Sequence, residues 1–73
     1  MPKLPRPSGQ DMVRFLQARG FRVARIRGSH HVMENGGLRT TVPVHGGKIL
    51  RIGTLRGILR DIDLDPSVFA EKW

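Results

Sequence analysis

The sequence predicts a single small α+β domain of order α-β-β-β-α, with a three-stranded antiparallel sheet carrying both helices on one face. Three observations point there. Apolar residues recur at helical spacing in two stretches, 8–19 and 52–62. Between them, from Phe21 to Val44, the pattern shortens to strand-like alternation, and Asn35-Gly36-Gly37 interrupts it with the strongest hairpin signal in the chain. Seventy-three residues make one domain at most. A chain this short buries only about 60% of its unfolded surface, enough for a single two-layer core.

The elements follow in order. Residues 1–7 are punctuated by Pro2, Pro5 and Pro7 and are expected to be flexible, leaving 8–73 as the domain. Ser8, with Asp11 three positions on, resembles a capping box in which Asp replaces the usual Glu or Gln. Met12, Phe15 and Leu16 then form the apolar face of a helix over about 8–19. Gly20 followed by Phe21 fits a left-handed terminating glycine and its apolar partner. Phe21 to Arg27 reads as the first strand, but its alternation breaks around Ala24, which calls for a bulge. Gly28-Ser29 turns the chain into a second strand, His30 to Glu34. Leu38 to Val44 is the third, with Leu38, Thr40, Val42 and Val44 on one face and Arg39, Thr41 and His45 on the other.

Register decides which histidine is available. A two-residue loop of Asn35-Gly36 pairs Met33 with Leu38, His31 with Thr40 and His30 with Thr41. His31 then points to the core, while His30 shares the open face with Arg39 and Thr41. A three-residue loop slips the pairing by one and exchanges the two histidines. The Asn-Gly preference favours the first arrangement.

Beyond the sheet, Gly46-Gly47-Lys48 reads as a flexible basic loop running to Arg51, and Gly53-Thr54 as the cap of the second helix. Ile52, Leu55, Ile58, Leu59 and Ile62 form its apolar stripe, with Arg56 and Arg60 one turn apart on the polar side. Asp65-Pro66 opens a final short turn carrying Val68 and Phe69, and Phe69 or Trp73 is expected to close the edge of the core.

Composition narrows the function classes. Thirteen Lys and Arg against six Asp and Glu give a net charge of +7, and all but one of the cations lie within residues 1–60. That imbalance points to a polyanion, bound largely by counterion release from phosphates. The few aromatics are not interleaved with the basic residues, which argues for backbone or shape recognition rather than base stacking. The absence of cysteine removes disulfides, thiolate metal sites and a cysteine nucleophile. The N-terminus has no apolar run of the signal-peptide type, and no stretch has the roughly 18–20 apolar residues of a membrane span. A cytoplasmic protein without membrane contact is expected.

The histidines His30, His31 and His45 are the candidates for chemistry. Histidine exchanges a proton near neutrality without a cofactor. A metal site is disfavoured, because neighbours on a strand point to opposite faces and His30 and His31 cannot jointly ligate one ion. The plain alternative for His31 is a satisfied core histidine. For Lys48, Arg51, Arg56 and Arg60 it is a solvated face. Against that, a Gly-Gly loop with Lys48 beside a helix start has the ingredients of a phosphate site.

Three ordered motifs then carry a resemblance. Gly28-Ser29-His30-His31, the run from Thr41 through Val44-His45-Gly46-Gly47 to Lys48, and Gly53-Thr54-Leu55-Arg56-Gly57-Ile58-Leu59-Arg60 together resemble the HicA toxins of bacterial and archaeal toxin–antitoxin pairs, over about residues 8–64. The resemblance implies a double-stranded-RNA-binding-domain-like fold and ribosome-independent mRNA interferase activity; histidine acid–base chemistry on RNA's own 2′-hydroxyl is expected to need no metal or other cofactor. It also implies a HicB-like antitoxin that covers the active site. By it the catalytic histidine lies in the Gly-Ser-His segment, with His30 the first choice and His31 the second. Arg39, His45, Lys48, Arg51, Arg56 and Arg60 are the expected RNA-binding residues. Two competing readings remain: a non-catalytic RNA-binding module of the same fold, and a small basic protein-interaction subunit.

Overall fold

The computed structural model describes residues 3–73. The elements run α1 (Gly9–Ala18), β1 (Arg22–Arg27), β2 (His30–Asn35), β3 (Leu38–Pro43), α2 (Ile52–Asp61) and α3 (Pro66–Lys72). The sheet order is β1-β2-β3, antiparallel throughout. The α-β-β-β-α order and the single sheet are as the sequence predicts. A third helix replaces the expected final turn.

Local chemistry explains α1. Ser8 Oγ accepts from Asp11 N at 3.1 Å and Asp11 Oδ2 accepts from Ser8 N at 3.4 Å, closing the capping box. At the other end Gly20 adopts φ +92°, Phe21 N donates to Leu16 O and Gly20 N to Gln17 O. This is a Schellman termination, and it turns Phe21 into the core. The α1 N-terminus lies so close to β3 that a Cβ on Gly9 would stand 2.1 Å from Pro43 O.

The hairpin register differs from expectation. Asn35 pairs with Leu38, so the two-residue loop is Gly36-Gly37, and His31 lies opposite Val42 and His30 opposite Pro43. Gly36 has φ +60° and Gly37 does not have a positive φ, as in a II′ turn with glycine at its first central position. Asn35 stays in the strand, where its Nδ2 donates to Arg19 O at 3.3 Å and ties the hairpin to the end of α1. The register is displaced by two residues from the one the Asn-Gly preference selects. Because a strand alternates with period two, every side chain keeps the face assigned to it. Met33, Thr40 and Val42 are buried on the helix side.

The core joins Met12, Val13 and Leu16 of α1 to Met33 and Val42 of the sheet and to Leu55, Ile58 and Leu59 of α2. Both helices therefore cover one face. The start of α2 also departs from expectation: its N-cap is Arg51, which supplies no side-chain cap, and not Gly53-Thr54. The preceding loop is pinned rather than loose. Lys48 N donates to His45 O, Ile49 bridges Ser8, and the buried Leu50 donates its N–H to Pro7 O. With Leu50 buried, the N-cap falls on Arg51, two residues before Gly53, and the helix begins at Ile52.

Of the N-terminal segment expected to be flexible, residues 1 and 2 lie outside the described residues. Leu4 packs against the core, and Arg6 donates to Leu50 O at 3.4 Å. At the C-terminus, Asp65 caps α3 through Ser67 N, and Pro66 occupies the first turn, where its missing N–H costs nothing. A seven-residue helix is unstable alone. Phe69, fully buried, holds it with roughly 2–3 kcal/mol of apolar burial, and Phe15 and Trp73 pack on the same ring at 5.0 and 5.3 Å.

Candidate functional site

With the helices on one face, the opposite face of the sheet is open among the described residues. Register arranges its side chains in three cross-strand rows: Arg27, His30 and Pro43; Arg25, Val32 and Thr41; Arg22, Glu34 and Arg39. Residues directly opposite on one face have Cβ atoms about 4.5–5.5 Å apart. The third row is electrostatically satisfied, since Glu34 accepts from Arg22 at 3.0 Å and meets Arg39 at 3.5 Å. Arg25 and Arg27 have no carboxylate within ion-pair distance among the described residues. They leave uncompensated positive charge around His30.

That arrangement depends on the bulge. The β1–β2 register shifts between Val23 and Arg25, so Ala24 is the extra residue. Val23 lies on the helix side, opposite Met33. Unbroken alternation would put Arg25 and Arg27 there too. The extra residue instead turns both arginines onto the open face beside His30. The break at Ala24 was the sequence signal for this, but which way it would aim the arginines is a tertiary outcome.

The three histidines separate. His30 is exposed on the open face. His31 is half-buried on the helix side between Ile26 and Val42, and its enclosed Nδ1 has no hydrogen-bond partner. His45 is exposed just past β3, where its Nε2 lies 3.3 Å from Ser29 Oγ. The Ser29 carbonyl accepts from Val44 N at 2.7 Å, so the two segments are locked together one residue beyond His30 and Pro43. Nothing in the sequence pattern announces the Ser29–His45 contact.

The expected basic residues fall into two groups. His45, Lys48 and Arg51 line one cleft of about 250 Å³ with Pro43 and Thr54. Pro43 is His30's cross-strand partner, so this cleft adjoins the His30 row. Arg56 and Arg60 lie apart from it. They are exposed on α2, which stands on the other side of the sheet, and Arg56 lines a larger hollow of about 710 Å³ with Lys3, Arg6 and Ile52. That hollow contains no histidine. Arg39 is on the open face but paired to Glu34. Among the described residues no three His, Asp or Glu side chains gather as a metal site.

The ordered motifs and this face converge on one family. A family model described as the HicA toxin of bacterial toxin–antitoxin pairs matches residues 9–64, from the first residue of α1 to just past α2. The chain belongs to the HicA toxin family. It is thus the toxin of a toxin–antitoxin system, and an antitoxin is its partner in that system. No curated protein matches the chain. In this HicA toxin α3 lies beyond the matched segment, yet it contributes Phe69 to the core. No described helix is long and apolar enough to cross a membrane.

Proposed function

We propose that this HicA toxin is an endoribonuclease acting on mRNA in the cytoplasm, with His30 as general base. The observation that carries the reading is the row Arg27–His30–Pro43: an exposed imidazole opposite an arginine that has no anionic partner among the described residues. RNA brings its own nucleophile. The neutral imidazole takes the proton of a 2′-hydroxyl, whose oxygen attacks the adjacent phosphorus, and the products are a 2′,3′-cyclic phosphate and a 5′-hydroxyl end. Arg27 and Arg25 stabilise the additional negative charge of the phosphorane. Lys48 and Arg51 hold neighbouring phosphates in the cleft next to Pro43.

His31 is the second choice for the base, and its half-buried position on the helix side favours a structural role instead. The antitoxin is read as a HicB-like protein that covers the open sheet face, contacting Val32 and neutralising Arg25 and Arg27. Metal takes no part in the proposed reaction.

The test is RNA cleavage by the purified chain in the presence of EDTA. Wild type should leave cyclic-phosphate ends, His30→Ala should lose about 10²–10⁴-fold in rate, and His31→Ala should retain most activity. Equal cleavage by His30→Ala, or activity abolished by EDTA, overturns the reading.

A further inference from the structure

We propose that His45 is the general acid of the same reaction, protonating the 5′-oxygen as it leaves. The inference rests on the reading of His30 as base. Attack by the 2′-oxygen forms one P–O bond while the P–O5′ bond breaks, and the departing alkoxide needs a proton. A single base on the nucleophile's side leaves that half of the reaction unassisted.

Few groups near His30 can supply the proton. Glu34 lies two rows away and is engaged by Arg22 and Arg39. Asp61 accepts from Thr40 on the helix side, and Asp65 is occupied with Ser67. His31 faces the helices. A lysine ammonium or an arginine guanidinium is a far weaker acid than an imidazolium, and so a poorer proton donor to the leaving oxygen. His45 remains, exposed and beside the same end of the sheet.

Its position is built rather than incidental. The Ser29 hydroxyl holds Nε2 of the ring at 3.3 Å, and Ser29 is the residue before His30. The backbone bonds from Val44 N to Ser29 O and from Lys48 N to His45 O fix the chain on both sides of the ring. Pro43, opposite His30, lines the cleft that His45 shares with Lys48 and Arg51. A phosphate over Pro43 therefore lies beside His30 and at the cleft that His45 lines. In the protonated ring, Nε2–H donates to Ser29 Oγ, which leaves Nδ1–H as the proton to give to the substrate. The proton balance closes: the 2′-hydroxyl proton goes to His30, the Nδ1 proton goes to O5′, and water re-equilibrates the two rings.

The test compares an RNA containing an ordinary scissile linkage with one in which sulfur replaces the bridging 5′-oxygen. A thiolate leaves without protonation, so the sulfur linkage no longer needs an acid. His45→Ala should lose about 10²–10⁴-fold on the oxygen linkage and return to within about tenfold of wild type on the sulfur linkage. His30→Ala should stay slow on both. Ser29→Ala should show a smaller loss, confined to the oxygen linkage, as expected of a positioning residue. Equal loss by His45→Ala on both linkages, or no loss on either, overturns the assignment while leaving His30 in place. A His30→Ala chain as fast as wild type removes the parent reading, and this one with it. Unchanged thermal melting of His45→Ala, expected for so exposed a side chain, keeps a folding defect out of the comparison.

Discussion

Thr40 Oγ1 donates a 2.9 Å hydrogen bond to Asp61 Oδ2, joining the middle of β3 to the last turn of α2. Thr40 is buried, at 3% exposure, whereas Asp61 reaches solvent. Alternation along β3 puts the threonine on the helix face beside Met33 and Val42, and this partner satisfies its hydroxyl there.

Thr40→Val keeps the shape of the side chain and removes the donor. The freed carboxylate can rehydrate, which limits the cost to about 1 kcal/mol, and in a domain this small the melting temperature should fall by about 4–8 °C. Thr40→Ser, which retains the hydroxyl, should recover most of the bond and lose only the methyl packing. Thermal unfolding of the three chains measures both effects.

Asp63 is the one described non-glycine residue with positive φ, at +56°. It occupies the left-handed position that ends α2, where Leu64 N bonds back to Leu59 O as Phe21 N does to Leu16 O in α1. An acidic side chain there is also unfavourable against the negative end of the helix. Asp63→Gly should stabilise the protein by about 0.5–1 kcal/mol, seen as a rise in melting temperature. A fall would mean that the Asp63 side chain has a stabilising role in the folded state.

The features that could be read from sequence are those decided within a few residues. Ser8 with Asp11 and Gly20 with Phe21 are such cases, and so is the break at Ala24. The hairpin loop was not, because Asn35-Gly36-Gly37 offers two adjacent two-residue loops. What distinguishes them is the bond from Asn35 to Arg19 O, sixteen positions away. The histidine faces were nevertheless legible, since a displacement by two preserves alternation. The cationic part of the site was legible only in part. Lys48 and Arg51 do gather with His45, but Arg56 and Arg60 stand on another side of the molecule. Arg25 and Arg27 reach the open face through the bulge. The start of α2 was not legible, because Leu50, buried just ahead of the Arg51 cap, sets it against the capping preference of Gly53-Thr54.

The Asp65 cap gives α3 a pH dependence. Hydrogen bonds from the Ser67 side chain, then from Ser67 N, hold the Asp65 carboxyl below the usual carboxylate range. A carboxyl whose folded value is lowered contributes stability above its unfolded value, and that contribution fades as pH falls through the folded value. Below about pH 4 α3 should loosen first and carry Trp73 away from Phe15 and Phe69, which it meets at 5.5 and 5.3 Å. The single tryptophan makes its fluorescence the readout. Asp65→Ala should show the low-pH signal already at neutrality, and a change that needs unfolding of the whole domain would contradict a local effect.

Arg25 and Arg27 distinguish an RNA-binding sheet face from one that is merely basic. Both lie on the rows of His30 and Val32 and lack an anionic partner among the described residues, whereas Arg22 on the same strand is held by Glu34 at 3.0 Å. An arginine already paired must give up that partner to meet a phosphate, so the three should not contribute equally. For a single strand, the slope of log K against log salt falls by about 0.7 for each phosphate that the protein ceases to neutralise. Arg25→Ala and Arg27→Ala should each weaken binding and shallow the slope by about that amount, and Arg22→Ala should change it less. The measurement is RNA binding by the His30→Ala chain, which keeps the ligand intact, across a salt series. Equal effects of all three substitutions would mean that only total charge matters. A smaller effect for Arg22 ties the affinity to the face that the Ala24 bulge creates.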